Sequence, residues 1–182
     1  MKKEQPHSEV TLFDQPNKGN KKAHYRKSEA VKYLESIANE AARKRYPNTP
    51  PKYLAPRTYR DDTANGLTQC VIDYIRLNGG QSERISNTGR RIDTKTTFCD
   101  VVGCQRTIGG TQWINGSGTN GTADISATIA GRSVKIEVKI GRDRMSEAQK
   151  LYQKSIEQAG GIYVIASSFE GFLTWFNLKF TP

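Results

Sequence analysis

Residues 122–140 read TADISATIAGRSVKIEVKI and carry the sharpest periodicity in the chain. Two alternating runs flank Ala130-Gly131-Arg132, which predicts a β-hairpin turning near Gly131. In the second run Val134, Ile136, Val138 and Ile140 fall on one face, and Lys135, Glu137 and Lys139 on the other. Alternation of this kind is what any half-solvated strand displays. Asp124 sets this hairpin apart, because it lies about as far from the turn as Glu137 and can meet it across the pair. Asp is a poor strand residue and two adjacent carboxylates repel, so the pair calls for a cation between them. Lys139 shares the face of Glu137 and can reach whatever the carboxylates hold.

On the C-terminal side, Ser146-x-x-Gln149 is a capping box opening a helix that runs to about Ala159 and stops at Gly160-Gly161. Gln149 can serve there simply to tie off the first turn. IYVIA then reads as a buried strand, and Ser168 caps a short helix with Phe169, Phe172, Leu173 and Phe176 on one side. On the N-terminal side, Thr63 caps a helix bearing Leu67, Val71, Tyr74, Ile75 and Leu77, stopped by Gly79-Gly80. ERIS and RRID read as a strand pair joined through NTG. Residues 94–120 are Gly-rich and without period, and read as loop. Trp113 within them is placed equally well on an unpaired base or against the core. The order α-β-β-β-α-β-α predicts a mixed α/β domain.

The formal net charge is +10, which favours an anionic partner. Residues 1–60 hold fourteen Lys and Arg against six Asp and Glu, whereas residues 61–182 hold fourteen against twelve. The division is therefore a basic N-terminal extension, 1–60, and a domain, 61–182. The extension is expected to be mobile over its first 27 residues, with a helix over about 28–45 and a Pro-rich linker after it. Lys32, Arg43, Lys44 and Arg45 lie on the far side of that helix. In SEVTLFDQP, Val10, Leu12 and Phe13 form an apolar island resembling the peptides that engage bacterial sliding clamps, which implies a clamp as partner.

Cys70, Cys99 and Cys104 lack the spacing of a zinc ribbon, and an odd count fits a reducing compartment. No apolar run approaches the ~20 residues that span a bilayer. The start, MKKEQPHSEV, has no apolar signal core. A cytoplasmic protein, with no membrane partner, is expected.

Two carboxylates on neighbouring strands, a backbone carbonyl and open water positions suit a hard ion such as Mg²⁺. Such an ion lowers the pKa of a bound water and neutralises charge on a phosphate, which is the chemistry of phosphodiester hydrolysis.

Asp124 followed by Glu137-Val138-Lys139 resembles the split D…(D/E)-x-K signature of the PD-(D/E)XK nuclease superfamily. The longer series GTADI, GRSVKIEVK, SEAQ and AGGIYVIAS is similar to the virus-type replication–repair nuclease (VRR-NUC) domain over about residues 62–177. The resemblance implies a restriction-endonuclease-like α/β core, a mixed central sheet flanked by helices. It implies Mg²⁺ or Mn²⁺ held by Asp124, Glu137 and the Val138 carbonyl, with Lys139 as catalytic lysine and Gln149 beside the site. The family's usual Glu on the first core helix is matched here by Asn65, in TANGLTQC, a further candidate ligand that lacks the negative charge; Asp61 or Asp62 are its alternatives. Arg84, Arg90 and Arg91 before the hairpin, and Arg142 and Arg144 beside the helix start, are candidates for phosphate contacts.

The implied function is a metal-dependent DNA endonuclease selecting branched or junction DNA in replication, repair or recombination, in a bacterial or phage-infected cell. Its single-domain relatives resemble junction resolvases, which implies a homodimer with two active sites. A different class stays open: a non-catalytic nucleic-acid-binding protein that retains the fold, which Asn65 favours. In a third reading the chain is an accessory factor recruited through Val10–Phe13.

Overall fold

A computed structural model of the chain describes residues 25–86, 89–114, 116 and 119–180. In chain order the elements are α1 (Glu29–Arg45), α2 (Ala64–Leu77), β1 (Gln81–Arg84), β2 (Arg90–Asp93), β3 (Thr96–Cys99), β4 (Gln105–Ile108), β5 (Thr111–Ile114), β6 (Ile125–Ile129), β7 (Arg132–Val138), α3 (Glu147–Gln158), β8 (Ile162–Ala166) and α4 (Phe169–Phe180). The fold is mixed α/β. Its main sheet runs β1-β6-β7-β8, antiparallel except for the parallel pair β7-β8.

The β6–β7 hairpin forms where its alternation predicts. Ile129 pairs with Arg132 across a two-residue turn in which Ala130 (φ 47°) and Gly131 (φ 74°) both take left-handed backbone, as the sheet's twist favours. Ile125, Ala127, Ile129, Val134, Ile136 and Val138 point to one face and are buried there. Helices α2 and α4 lie against that face, and α1 packs on both of them. Tyr74 of α2 meets Phe169, Phe172 and Phe176 of α4 edge-on, at ring separations of 5.6, 6.4 and 5.1 Å. Aromatic pairs in this geometry contribute about 0.5–1.5 kcal/mol beyond the area they bury. The other face of the sheet carries α3, none of whose residues is fully buried.

The helix caps stand as predicted. Ser28, Thr63, Ser146 and Ser168 each accept a backbone N–H from the first turn of the helix that follows. Gly79 and Gly160, at φ 80°, end α2 and α3.

The boundary at residue 60 does not divide the core. Ala30, Val31, Leu34 and Ala38 of α1 belong to the same buried cluster as α2 and α4. The Pro-rich segment is also tied down: Glu35 accepts the Tyr59 N–H at 2.8 Å and pairs with Lys27 at 2.5 Å. Val10, Leu12 and Phe13 lie outside the described residues.

Three expectations need correction. ERIS and RRID do not form a hairpin: β1 pairs with β6, and β2 with β5. The long-range partner wins because Ser82 is buried, donating its hydroxyl to the Ile72 carbonyl, while Arg76 clasps the Ser82 carbonyl; this locks β1 to α2 and the sheet. Asn87 and Thr88 of the expected turn lie outside the described residues. Residues 94–120 are not simply loop, since β3, β4 and β5 fall within them. With β2 they build a two-stranded ribbon inserted between β1 and β6. Without that insertion the order is α2-β1-β6-β7-α3-β8-α4; RRID, read as a strand beside ERIS, belongs to the insertion as β2. β8, expected to be buried, is an edge strand with only Ala166 fully covered.

Candidate functional site

The hairpin register places Ile125 opposite Ile136, so Asp124 stands one step on, opposite Glu137, at the open end of the pair. Asp124 Oδ2 accepts the Val138 N–H at 2.9 Å, which fixes its carboxylate against the strand. A strand residue's N–H and C=O point to the same side, so the Val138 carbonyl faces the same edge.

Glu137 is only 2% exposed, although it sits on the thinly covered face. A buried carboxylate needs partners, and three side chains supply them. Gln149 Nε2 donates to Oε1, Lys139 Nζ lies 3.1 Å from the same oxygen, and the Tyr163 hydroxyl is 3.5 Å from Oε2. Lys139 also reaches Asp143 at 3.3 Å. Gln149 does two jobs at once, because its Oε1 accepts the Ser146 N–H at 2.9 Å in the capping box while its amide holds Glu137. The cap and the site are one device.

Electrostatics follow from this packing. Burial pushes the Glu137 carboxyl above its ordinary range; Lys139 opposes the rise and the charge of Asp124 adds to it. Burial acts to lower the Lys139 ammonium, but Glu137 and Asp143 together raise it, so it stays charged. Burial and Glu137 raise the Tyr163 phenol. Two facing carboxylates, one of them protonating too readily, are stabilised by a divalent cation between them.

The donor set fits a hard cation. It offers two carboxylates and a strand carbonyl, which suits an ion that keeps several waters. Among the described residues no group of three or more His, Cys, Asp or Glu could hold a metal, so the remaining positions would fall to water or substrate.

A cleft of about 540 Å³ opens beside the pair, lined by Arg84, Ser86, Gly121, Asp124 and Gln149 among others. Arg84 is therefore brought to the site. Its guanidinium donates to Asn65 Oδ1 at 2.8 Å, so the asparagine oxygen is spent on arginine rather than turned to the carboxylates. Asp61 and Asp62 do not replace it: Asp61 accepts from Tyr25 and the Phe169 N–H, and Asp62 pairs with Arg60. Arg142 and Arg144 are exposed in the turn before α3. Arg90 and Arg91 leave the sheet on β2.

Sequence reasoning missed two contributors. Tyr163 was read only as part of a strand; its ring meets Tyr152 of α3 edge-on at 6.3 Å, fixing the helix that carries Gln149. Gly121 has φ 82°, and a Cβ there would lie 2.4 Å from the Ala148 carbonyl. Only glycine lets the Asp124 loop approach the start of α3 this closely. The GT before Asp124 was the available signal.

The chain matches no protein-family model, and no curated protein matches it.

Proposed function

We propose that this chain is a Mg²⁺- or Mn²⁺-dependent DNA endonuclease of the PD-(D/E)XK type, similar to VRR-NUC domains, acting on branched DNA as a homodimer. One observation carries the reading: Asp124 and Glu137 converge at the end of a hairpin, with the Lys139 ammonium 3.1 Å from the Glu137 carboxylate. The bound ion would supply an activated water and neutralise charge on the phosphate. Lys139 stabilises the negative charge that grows on the phosphate oxygens. Gln149 and Tyr163 orient Glu137. Arg84, braced by Asn65, meets a phosphate beside the one attacked.

A second reading, a DNA-binding protein without catalysis, is favoured by one feature: Asn65 offers no carboxylate and its oxygen is occupied by Arg84. Cleavage of labelled branched and linear DNA in Mg²⁺, Mn²⁺ or EDTA, by wild type and Lys139→Ala, separates the two. The nuclease reading expects metal-dependent cutting that the substitution removes. Binding without cutting in every metal would overturn it.

A further inference from the structure

β2 through β5 form a single arm. The pairing of Arg90–Asp93 with Thr111–Ile114 continues through the Thr94–Gly110 hydrogen bond into that of Thr96–Cys99 with Gln105–Ile108. Ten residues run out and ten return, on the order of 30 Å at strand rise. Nearly every position on it is exposed, including all of β3 and β4. Its tip is apolar: Val101 is fully exposed and Val102 is 79% exposed.

The acids of the arm are spent on its shape. Asp100 Oδ1 accepts the N–H groups of Val102 and Cys104 at 2.9 Å and its Oδ2 binds Arg106, while Asp93 accepts the Lys95 N–H. The side chains of Arg90, Arg91 and Lys95 make no hydrogen bond or ion pair among the described residues. The arm therefore presents unbalanced positive charge on the outgoing strand near its root and two valines at its end.

In sequence its root lies close to the cleft. Ser86 and Asn120, a few residues from either strand of the arm, both line the cleft, and the Ile85 N–H bonds to the Asp124 carbonyl at 2.8 Å. The arm thus leaves the chain between β1 and β6, the two strands whose ends border the cleft.

We infer that this β-arm lies in a groove of duplex DNA next to the cut, with its basic side chains on phosphates and Val101 and Val102 pressed against a base step. The inference rests on the proposed nuclease reading. A two-stranded ribbon fits the major groove of B-form DNA, about 12 Å wide, and an arm of this length covers about one helical turn of ~34 Å. The deep, narrow groove of double-stranded RNA excludes it. An apolar tip costs the free protein hydration and does nothing for its core, whereas against unstacked bases it finds apolar partners. A second copy of this chain is a poorer occupant, since it carries the same positive charge.

The test is binding, in Ca²⁺ without cleavage, to branched DNA carrying 2-aminopurine at successive steps around the branch. Wild type is compared with Val101→Ser/Val102→Ser and with a chain in which residues 94–110 are replaced by a short turn. Wild type should raise the fluorescence at a step within one turn of the cut. The double variant should lose that rise and bind about tenfold more weakly, as expected when an apolar wedge is removed; the shortened chain, which also lacks Lys95, should lose the rise and bind more weakly still. Equal fluorescence and affinity in all three would overturn the inference while leaving the nuclease reading intact. So would variants that dissociate a wild-type dimer without altering DNA contacts, which would make the arm a contact between copies. Wild type that neither binds nor cuts DNA would remove both.

Discussion

The carboxylate cluster and the β-arm begin within a few residues of each other and are built on opposite terms. Glu137 is 2% exposed and contacts three side chains, from α3, from β8 and from the residue that follows β7, whereas Val101 is fully exposed and contacts no core. The first is costly to build and rigid. The second costs the fold little and can adapt to a partner. In the proposed reading, groups that need precise placement sit on the sheet and groups that follow a large ligand sit on a ribbon beside it.

The largest expected effect is at the rigid end. Lys139→Ala should lower the cleavage rate roughly 10²–10³-fold while DNA binding persists, which single-turnover kinetics on pre-bound DNA would show. A comparable loss from a tip substitution would erase the distinction between the two regions.

Gly121→Val comes next. The added side chain collides with the Ala148 carbonyl at a left-handed backbone position, and should cost about 1–3 kcal/mol in denaturant melts. It should also displace Gln149 from Glu137 and reduce cleavage. Unchanged activity would mean that the start of α3 need not be held so closely.

Ala130→Gly should sharpen the hairpin in the opposite direction. It relieves left-handed strain at φ 47°, and should add about 1 kcal/mol of stability without touching the site.

Glu137→Gln exposes the cost of the site by its pH dependence. The folded carboxyl titrates above its ordinary 4.5, so the folded chain holds that proton more tightly than the unfolded chain. The stability it contributes is fully present below 4.5 and is lost as pH rises through the raised value. Melts of the metal-free protein should therefore show wild type losing ground to the variant as pH rises through that window. A variant that gains nothing at higher pH would contradict the burial argument.

The smallest effect belongs to the arm. Val101→Ser/Val102→Ser should leave unfolding free energy within about 0.5 kcal/mol of wild type.

How far each region could be read from the chain follows from the same contrast. The β6–β7 hairpin was legible because one of its faces is buried, which forces alternation, and the register then brought Asp124 opposite Glu137. The caps of α1 to α4 were legible because capping is local chemistry. The arm was not: strands exposed on both faces need no period, and its turn is made by Asp100 and Gly103 around two valines rather than by a familiar turn pair. The supposed ERIS–RRID hairpin failed because the partner of β1 lies about forty residues away and local turn signals carry no knowledge of it. Tyr163 and the Asn65–Arg84 bond were missed for the same reason. Each joins elements that only the folded sheet makes neighbours.

The most direct measurement is calorimetric titration of Mn²⁺ into wild type, Asp124→Asn and Glu137→Gln without DNA, which asks about the site independently of its substrate. Saturable binding by wild type, lost in both variants, is the expected result. No binding by wild type, or equal binding by all three, would contradict the assignment of these carboxylates to a metal.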